Sequence, residues 1–203
     1  MIITISREYG SGGRRIGKQL AQLLNIAYYD REIVAKAAEK SGYPKEIHDS
    51  IDERPANKLL YSLSMFNMKN QMGQSLDEQL FEAEAQVIRE IAAKESAVIV
   101  GRCADYILKD CPDKFDFFIY GSMPYRTQQV ESSDYYVTDG KSVESVISKI
   151  DRERAAYYHF FTGQTWGKGS QYDLCISSEK LGIDGTAHYL SEYVKAVQAK
   201  SNG

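Results

Sequence analysis

No run of the 203 residues approaches the roughly 18 consecutive apolar side chains of a membrane-spanning helix, and no charged leader precedes a long apolar segment at the N-terminus. The chain therefore reads as cytoplasmic, with no membrane as partner. Cysteine is scarce: Cys103, Cys111 and Cys175 are an odd set without metal-ligand spacing, which argues against a disulfide framework and leaves reduced thiols. Positive charge is not in excess, since the formal net charge is -3, and that argues against a protein gripping nucleic acid through a basic surface. A small anionic ligand stays compatible, because local charge can oppose the global balance. Repeats and low-complexity tracts are also missing. With 43% hydrophobic and 26% charged residues, the chain is long enough for one folded domain, with or without a smaller inserted lobe.

What is present is an alternation. Apolar residues gather in four short runs, Ile2 to Ser6, Ala97 to Val100, Phe115 to Tyr120 and Tyr172 to Ser177, with a weaker fifth at Ile26 to Tyr29. Longer segments of helical period separate them, which predicts βα units around a parallel sheet. Ile16, Leu20, Leu23 and Leu24 share one face of a first helix that Asn25 stops. A second helix runs from Asp30 to about Lys40 and ends at the breakers Gly42 and Pro44. From Ile47 to Lys94 no strand signal appears, and helices around Leu59 to Met72 and from Asp77 to Lys94 fill the stretch. That exceeds an ordinary crossover, so an inserted helical lobe is expected. Its Met65, Phe66, Met68 and Met72 suit a core, a ligand cover or a helix pairing between subunits of a homo-oligomer. A long helix from Ser142 to about Phe161 leads into the polar, glycine-rich TGQTWGKGSQ, and a last helix runs from about Asp184 to Ala199.

The first strand and first helix are joined by REYGSGGRR. Strand, glycine-rich loop and helix start, in that order, arrange backbone N–H groups around an anion, and the helix dipole favours it. Gly10, Gly12 and Gly13 let a phosphate approach the backbone and supply positions for positive φ, with Ser11 between them. Arg7, Arg14 and Arg15 flank the loop with guanidinium forks suited to phosphate oxygens. A tight βα turn that happens to hold glycines is the competing reading, and the arginines favour phosphate over it. The dinucleotide fingerprint G-x-G-x-x-G fits at Gly10 and Gly12 and fails at Arg15, where the third glycine belongs. A Walker loop fits the architecture but not the letters. When G-x-x-G-x-G-K-G-T is laid on without gaps, Arg7 takes the first glycine, Gly13 the lysine and Arg15 the threonine.

The opening ISREYGSGG, the turn VIVGR and the segment YYHFFTGQTWG together resemble the cytidylate kinase-like family, and the likeness covers most of the chain. AVIVGRCADYIL is similar to the third strand and Gly-Arg turn of cytidylate kinases, FDFFIYGSMPYRTQQV to the fourth strand and its helix, and SVESVISKIDRERAAYY to the helix that becomes an arginine-bearing lid. YDLCISSEKLGIDGTAHYLSEYV is similar to the closing strand–helix unit. The resemblance implies one P-loop nucleoside monophosphate kinase-like domain over residues 1–203, a three-layer α/β fold with a parallel sheet flanked by helices. It places an inserted substrate lobe at about 43–94 and a lid at about 151–171.

By the same resemblance ATP is the phosphoryl donor, with Mg2+, held at Gly10, Ser11, Gly12, Gly13, Arg14 and Arg15. Arg14 or Arg15 replaces the loop lysine, and Arg152 and Arg154 add catalytic cations from the lid. Asp30, Arg31, Arg102 and Asp105 bind the acceptor, a cytidylate-like nucleoside monophosphate or a related small phosphorylated molecule; Asp105 is the acid nearest the Gly-Arg turn, where the family carries one at the position of Cys103. The alternative is a nucleotide- or phosphate-binding regulatory protein that keeps the fold without turnover. Blander roles stand beside several of these: DRER as a solvated helix face, Asp30 as a helix cap, and Tyr157, Tyr158, Phe160, Phe161 and Trp166 as packing rather than a base-stacking group. His48, His159 and His188 show no spacing for a metal or a nucleophilic triad.

Overall fold

The structure, a computed structural model, describes residues 1–42, 75–133 and 142–201. The helix expected around Leu59 to Met72, and with it most of the expected lobe, lies outside the described residues. Five strands form one parallel sheet in the order β2-β3-β1-β4-β5: β1 Ile2–Arg7, β2 Ala27–Tyr29, β3 Ala97–Val100, β4 Lys114–Tyr120 and β5 Leu174–Ser177. The described helices are α1 Gly13–Leu24, α2 Arg31–Ser41, α3 Leu76–Lys94, α4 Ala104–Ile107, α5 Met123–Glu131, α6 Val143–Thr162 and α7 Ser178–Ser201, with a 3-10 turn at Gly169–Gln171.

β1 is the middle strand and is buried at all six positions, which is why its sequence is a continuous run rather than an alternation. Ile3 and Ile5 face Ile16 and Leu20 of α1 and Leu190 and Val194 of α7, whereas Ile2 faces Ile33 of α2 and Val87 and Ile88 of α3. Helices thus cover both faces, and the three layers follow. Each fully buried Ile or Leu contributes about 1.5–3 kcal/mol relative to exposure. A third cluster, Tyr9 with Val130, Ile147 and Ile150, packs α5 and α6 beside the loop that leaves β1.

Helix ends follow capping chemistry. Asn25 ends α1 at φ 51 and donates its N–H to the carbonyls of Ala21 and Gln22. Ser75 and Glu78 form a reciprocal capping box at the start of α3. α7 begins at Ser178 rather than near Asp184, and non-helical Gly182, at φ 66, breaks it. The apolar period expressed only the part beyond that break. No described helix is long and apolar enough to cross a membrane.

Candidate active site

β1 sits at the point where one connection leads through α1 toward β2 while β3 continues to β4 on the other side, the crevice where open α/β sheets bind ligands. Gly10 and Gly12 adopt φ 79 and 78, a conformation that glycine enters without steric cost. A Cβ on Gly10 would stand 2.8 Å from the backbone oxygen of Arg126. Ile16 makes the first amide bond back to Gly12, 3.0 Å, so the amides of Gly13, Arg14 and Arg15 precede the intrahelical ladder and point from a helix N-terminus. Ser11 is fully buried; its hydroxyl donates to Glu8 O at 2.8 Å, and its carbonyl accepts from Ser178 Oγ at 2.7 Å.

The flanking arginines divide. Arg14 forms an ion pair with Asp30, and the Tyr28 hydroxyl donates to the same carboxylate at 3.3 Å. Burial first, and then the Asp30 charge, push the Tyr28 phenol up to about 12. Asp30 is 3% exposed and its side chain does not cap α2, so the capping role gives way to holding Arg14. Arg15 stands exposed on the first turn of α1, and Arg31 exposed at the start of α2. Arg7, Arg102 and Arg154 instead line one small cleft of about 20 Å3 together with Tyr157, Tyr158 and Trp166. Arg152 is exposed and donates back to Ser148 O at 3.3 Å, outside that lining.

Arg102 reaches the cleft from a turn with three successive positive φ values, Gly101 at 77, Arg102 at 61 and Cys103 at 53. For the two residues with a Cβ this conformation costs about 1–2 kcal/mol each. The turn is held by Gly101 N to Ile5 O, 3.0 Å, and by Arg102 Nη1 to Glu84 Oε1, 3.2 Å, an ion pair whose side chains are only 2% and 4% exposed. Glu84 comes from α3, so the helix that precedes β3 fixes the arginine of the Gly-Arg turn. Strain of this kind persists where the surroundings over-determine it, commonly at functional sites.

Arg154 donates from Nη1 to Arg7 O at 3.0 Å and lies 5.6 Å from the centre of the Tyr9 ring. The neighbouring Tyr9 segment is anchored by a residue that the sequence does not single out. Arg126 of α5 donates to Gly121 O at 3.0 Å and Tyr9 O at 3.2 Å, and pairs with Asp151 at 2.5 Å and Glu8 at 3.3 Å. Asp151, one turn before Arg154, also accepts the Tyr9 amide at 2.8 Å. Both backbone groups of Tyr9 are thereby tied to α5 and α6. Burial holds the Glu8 carboxyl above the ordinary range against the opposing Gly121 amide and Arg126.

Asp105 lies behind the cleft. Tyr158 donates to its Oδ2 at 2.8 Å, and among the described residues its Oδ1 has no hydrogen-bond partner. Burial foremost, and then the Asp116 charge, hold its carboxyl above the ordinary 3.8, although the Tyr158 hydrogen bond opposes them. A carboxyl raised by folding binds its proton more tightly in the native state. Its stabilising contribution is complete below the ordinary value and is lost as pH rises through the raised one. Asp105→Asn is therefore expected to gain stability on wild type as pH rises from about 4 to 8, read by urea unfolding. A difference between the two proteins that stays constant with pH would contradict this.

The aromatic residues mostly pack. Phe81 of α3 stacks on Phe161 with centroids 4.1 Å apart, Tyr157 leans on both, and Trp166 meets Phe118 edge-on at 5.2 Å. Phe160 remains exposed. Among the described residues no group of three or more potential metal-ligating side chains occurs.

Comparison with known proteins agrees with this geometry. The model of the cytidylate kinase-like family matches residues 2–180. No curated protein matches the chain. Among solved structures, an uncharacterized protein from Eubacterium ventriosum superposes with a TM-score of 0.71 at 28% identity, covering 96% of this chain and 98% of its own. A shikimate kinase from Bacteroides thetaiotaomicron superposes with a TM-score of 0.56 at 15% identity, over 96% and 98% of the two chains. A gluconokinase from Sinorhizobium meliloti does so at 0.55 and 12%, over 98% and 96%. The fold is that of P-loop kinases of small molecules, and, with the family model matched over most of its length, the chain belongs to the cytidylate kinase-like family.

Proposed function

We propose that the protein transfers the γ-phosphoryl group of ATP, as its Mg2+ complex, to a nucleoside monophosphate of cytidylate type or to a related small phosphorylated acceptor. The observation that carries this reading is the convergence of Arg7, Arg102 and Arg154 on one cleft at the ends of β1 and β3, beside the helix N-terminus of α1. Phosphoryl transfer asks the protein for position and charge rather than covalent chemistry. The donor phosphates lie against the amides of Gly12, Gly13 and Arg14, Arg102 holds the acceptor phosphate, and Arg154 stands over the group in transit. An acceptor oxygen bonds to the γ-phosphorus as the bond to the β,γ-bridging oxygen breaks, and ADP leaves with that electron pair. Mg2+, bound with the triphosphate, would offset phosphate charge; Arg15 stands at the position of the loop hydroxyl, so that side chain would not hold the ion. Residues 151–171, the second half of α6 with the loop and 3-10 turn after it, form the lid.

The test is direct. Purified protein is incubated with ATP, Mg2+ and each nucleoside monophosphate in turn, and diphosphate formation is followed. Transfer to at least one acceptor is the expected result. A second reading, triphosphate binding without turnover, is favoured by one observation: Gly13 stands at the lysine position and Arg14 is engaged by Asp30. Calorimetric binding of ATP with no diphosphate from any acceptor would select it.

A further inference from the structure

We infer that the missing loop lysine has been exchanged rather than lost: Arg7, from the end of β1, carries the charge, and its stem fills the volume in which a side chain at position 13 would begin. The inference rests on the kinase reading and adds the residue that carries the charge. In the ungapped register the first loop glycine has become Arg7 and the lysine has become Gly13, a reversal of small and cationic residues at two positions. The structure makes those positions neighbours. A Cβ on Gly13 would stand 2.5 Å from Arg7 Cβ and 2.9 Å from Arg7 Cγ, with Ile119 Cβ closing a further side at 3.5 Å. Nothing at those distances is the movable end of a side chain. Position 13 therefore has to be glycine while position 7 is arginine, and the stem of Arg7 starts where the stem of a lysine at 13 would start.

The other candidates for that charge are placed elsewhere. Arg14 lies outside the lining of the cleft, and Arg15 is exposed on the first turn of α1. Arg7 is 8% exposed and lines the cleft with Arg102 and Arg154. The exchange alters the chemistry in one respect. An ammonium is a compact point charge, whereas a guanidinium presents a planar fork that can hold two phosphate oxygens at once.

The experiment is a cycle across positions 7 and 13, with Mg2+-ATP and inorganic tripolyphosphate as calorimetric probes and urea unfolding alongside. Arg7→Met keeps the packing over Gly13 and removes the charge. It is expected to bind either probe on the order of tenfold more weakly, or worse, with urea unfolding reading any separate cost to the fold. Gly13→Lys alone is expected to unfold at lower urea, because its Cβ meets Arg7. The double variant Arg7→Gly/Gly13→Lys is expected to recover both folding and most of the affinity. Unchanged affinity in Arg7→Met overturns the role of Arg7 and leaves the kinase reading standing. So does a folded double variant that binds no better than Arg7→Met. A wild type that binds neither probe overturns the kinase reading and the role of Arg7 together.

Discussion

Arg126→Met is expected to lower the unfolding free energy by about 3 kcal/mol, the low end of the range for breaking a buried ion pair from one side. The figure is set at that end because Glu8 and Asp151 keep 26% and 18% exposure and retain some water. Methionine fills much of the volume, so the loss is electrostatic. Asp151 is left beside an apolar thioether, Glu8 loses the cation that opposes its burial, and the carbonyls of Tyr9 and Gly121 lose a donor. Urea unfolding at neutral pH reads the effect. A loss below about 1 kcal/mol would mean that these contacts are surface-like and that the loop is held by something else. Glu8 and Asp151 flank the segment leading to Gly10, so triphosphate affinity should fall together with stability.

Arg154→Met is expected to slow phosphoryl transfer by on the order of 10²- to 10³-fold. The side chain is only partly buried, donates to Arg7 O and lies over the face of Tyr9. What it removes is a positive group that lines the same cleft as Arg102, where the proposed transfer would take place. Steady-state kinetics against the best acceptor separates the alternatives. A fall in kcat with KM nearly unchanged marks a group acting in the transition state, whereas a rise in KM alone marks a ground-state contact. Transfer within about threefold of wild type would remove Arg154 from the catalytic set.

The sheet was legible because burial on both faces writes parallel strands as uninterrupted apolar runs; Ala97 to Val100 coincides with β3, and Ile2 to Ser6 falls one residue short of Arg7. The helix stops at Asn25 and Gly42 were legible for the same local reason, since left-handed caps select few residues. Arg126 was not. Its partners Glu8 and Asp151 are distant in sequence, and no periodicity links a buried arginine to carboxylates brought up by the fold. The pairing of Arg14 with Asp30 was hidden likewise, because each residue alone reads as a phosphate contact or a cap. The Gly-Arg turn was visible as a motif through its resemblance, yet nothing in the letters of Arg102 and Cys103 announces positive φ. The aromatic residues after Ala156 left stacking and packing equally open, and the contacts of Phe81 with Phe161 and of Trp166 with Phe118 favour packing.

The central place of β1 has a consequence for synthesis on the ribosome. The strand that carries Arg7 emerges well before its neighbours in the sheet; the Thr4 hydroxyl meets Asp116, a partner 112 positions away. At about 5–20 residues per second, roughly 5–20 s separate the appearance of the strand from that of its partners. For that interval a six-residue segment that is wholly buried in the fold has no sheet to join. The first helix follows it and can fold on its apolar face, Ile16 and Leu20, which shields the strand until β3 and β4 arrive. The nascent chain thus has to keep its earliest strand soluble until the middle of the protein has been made.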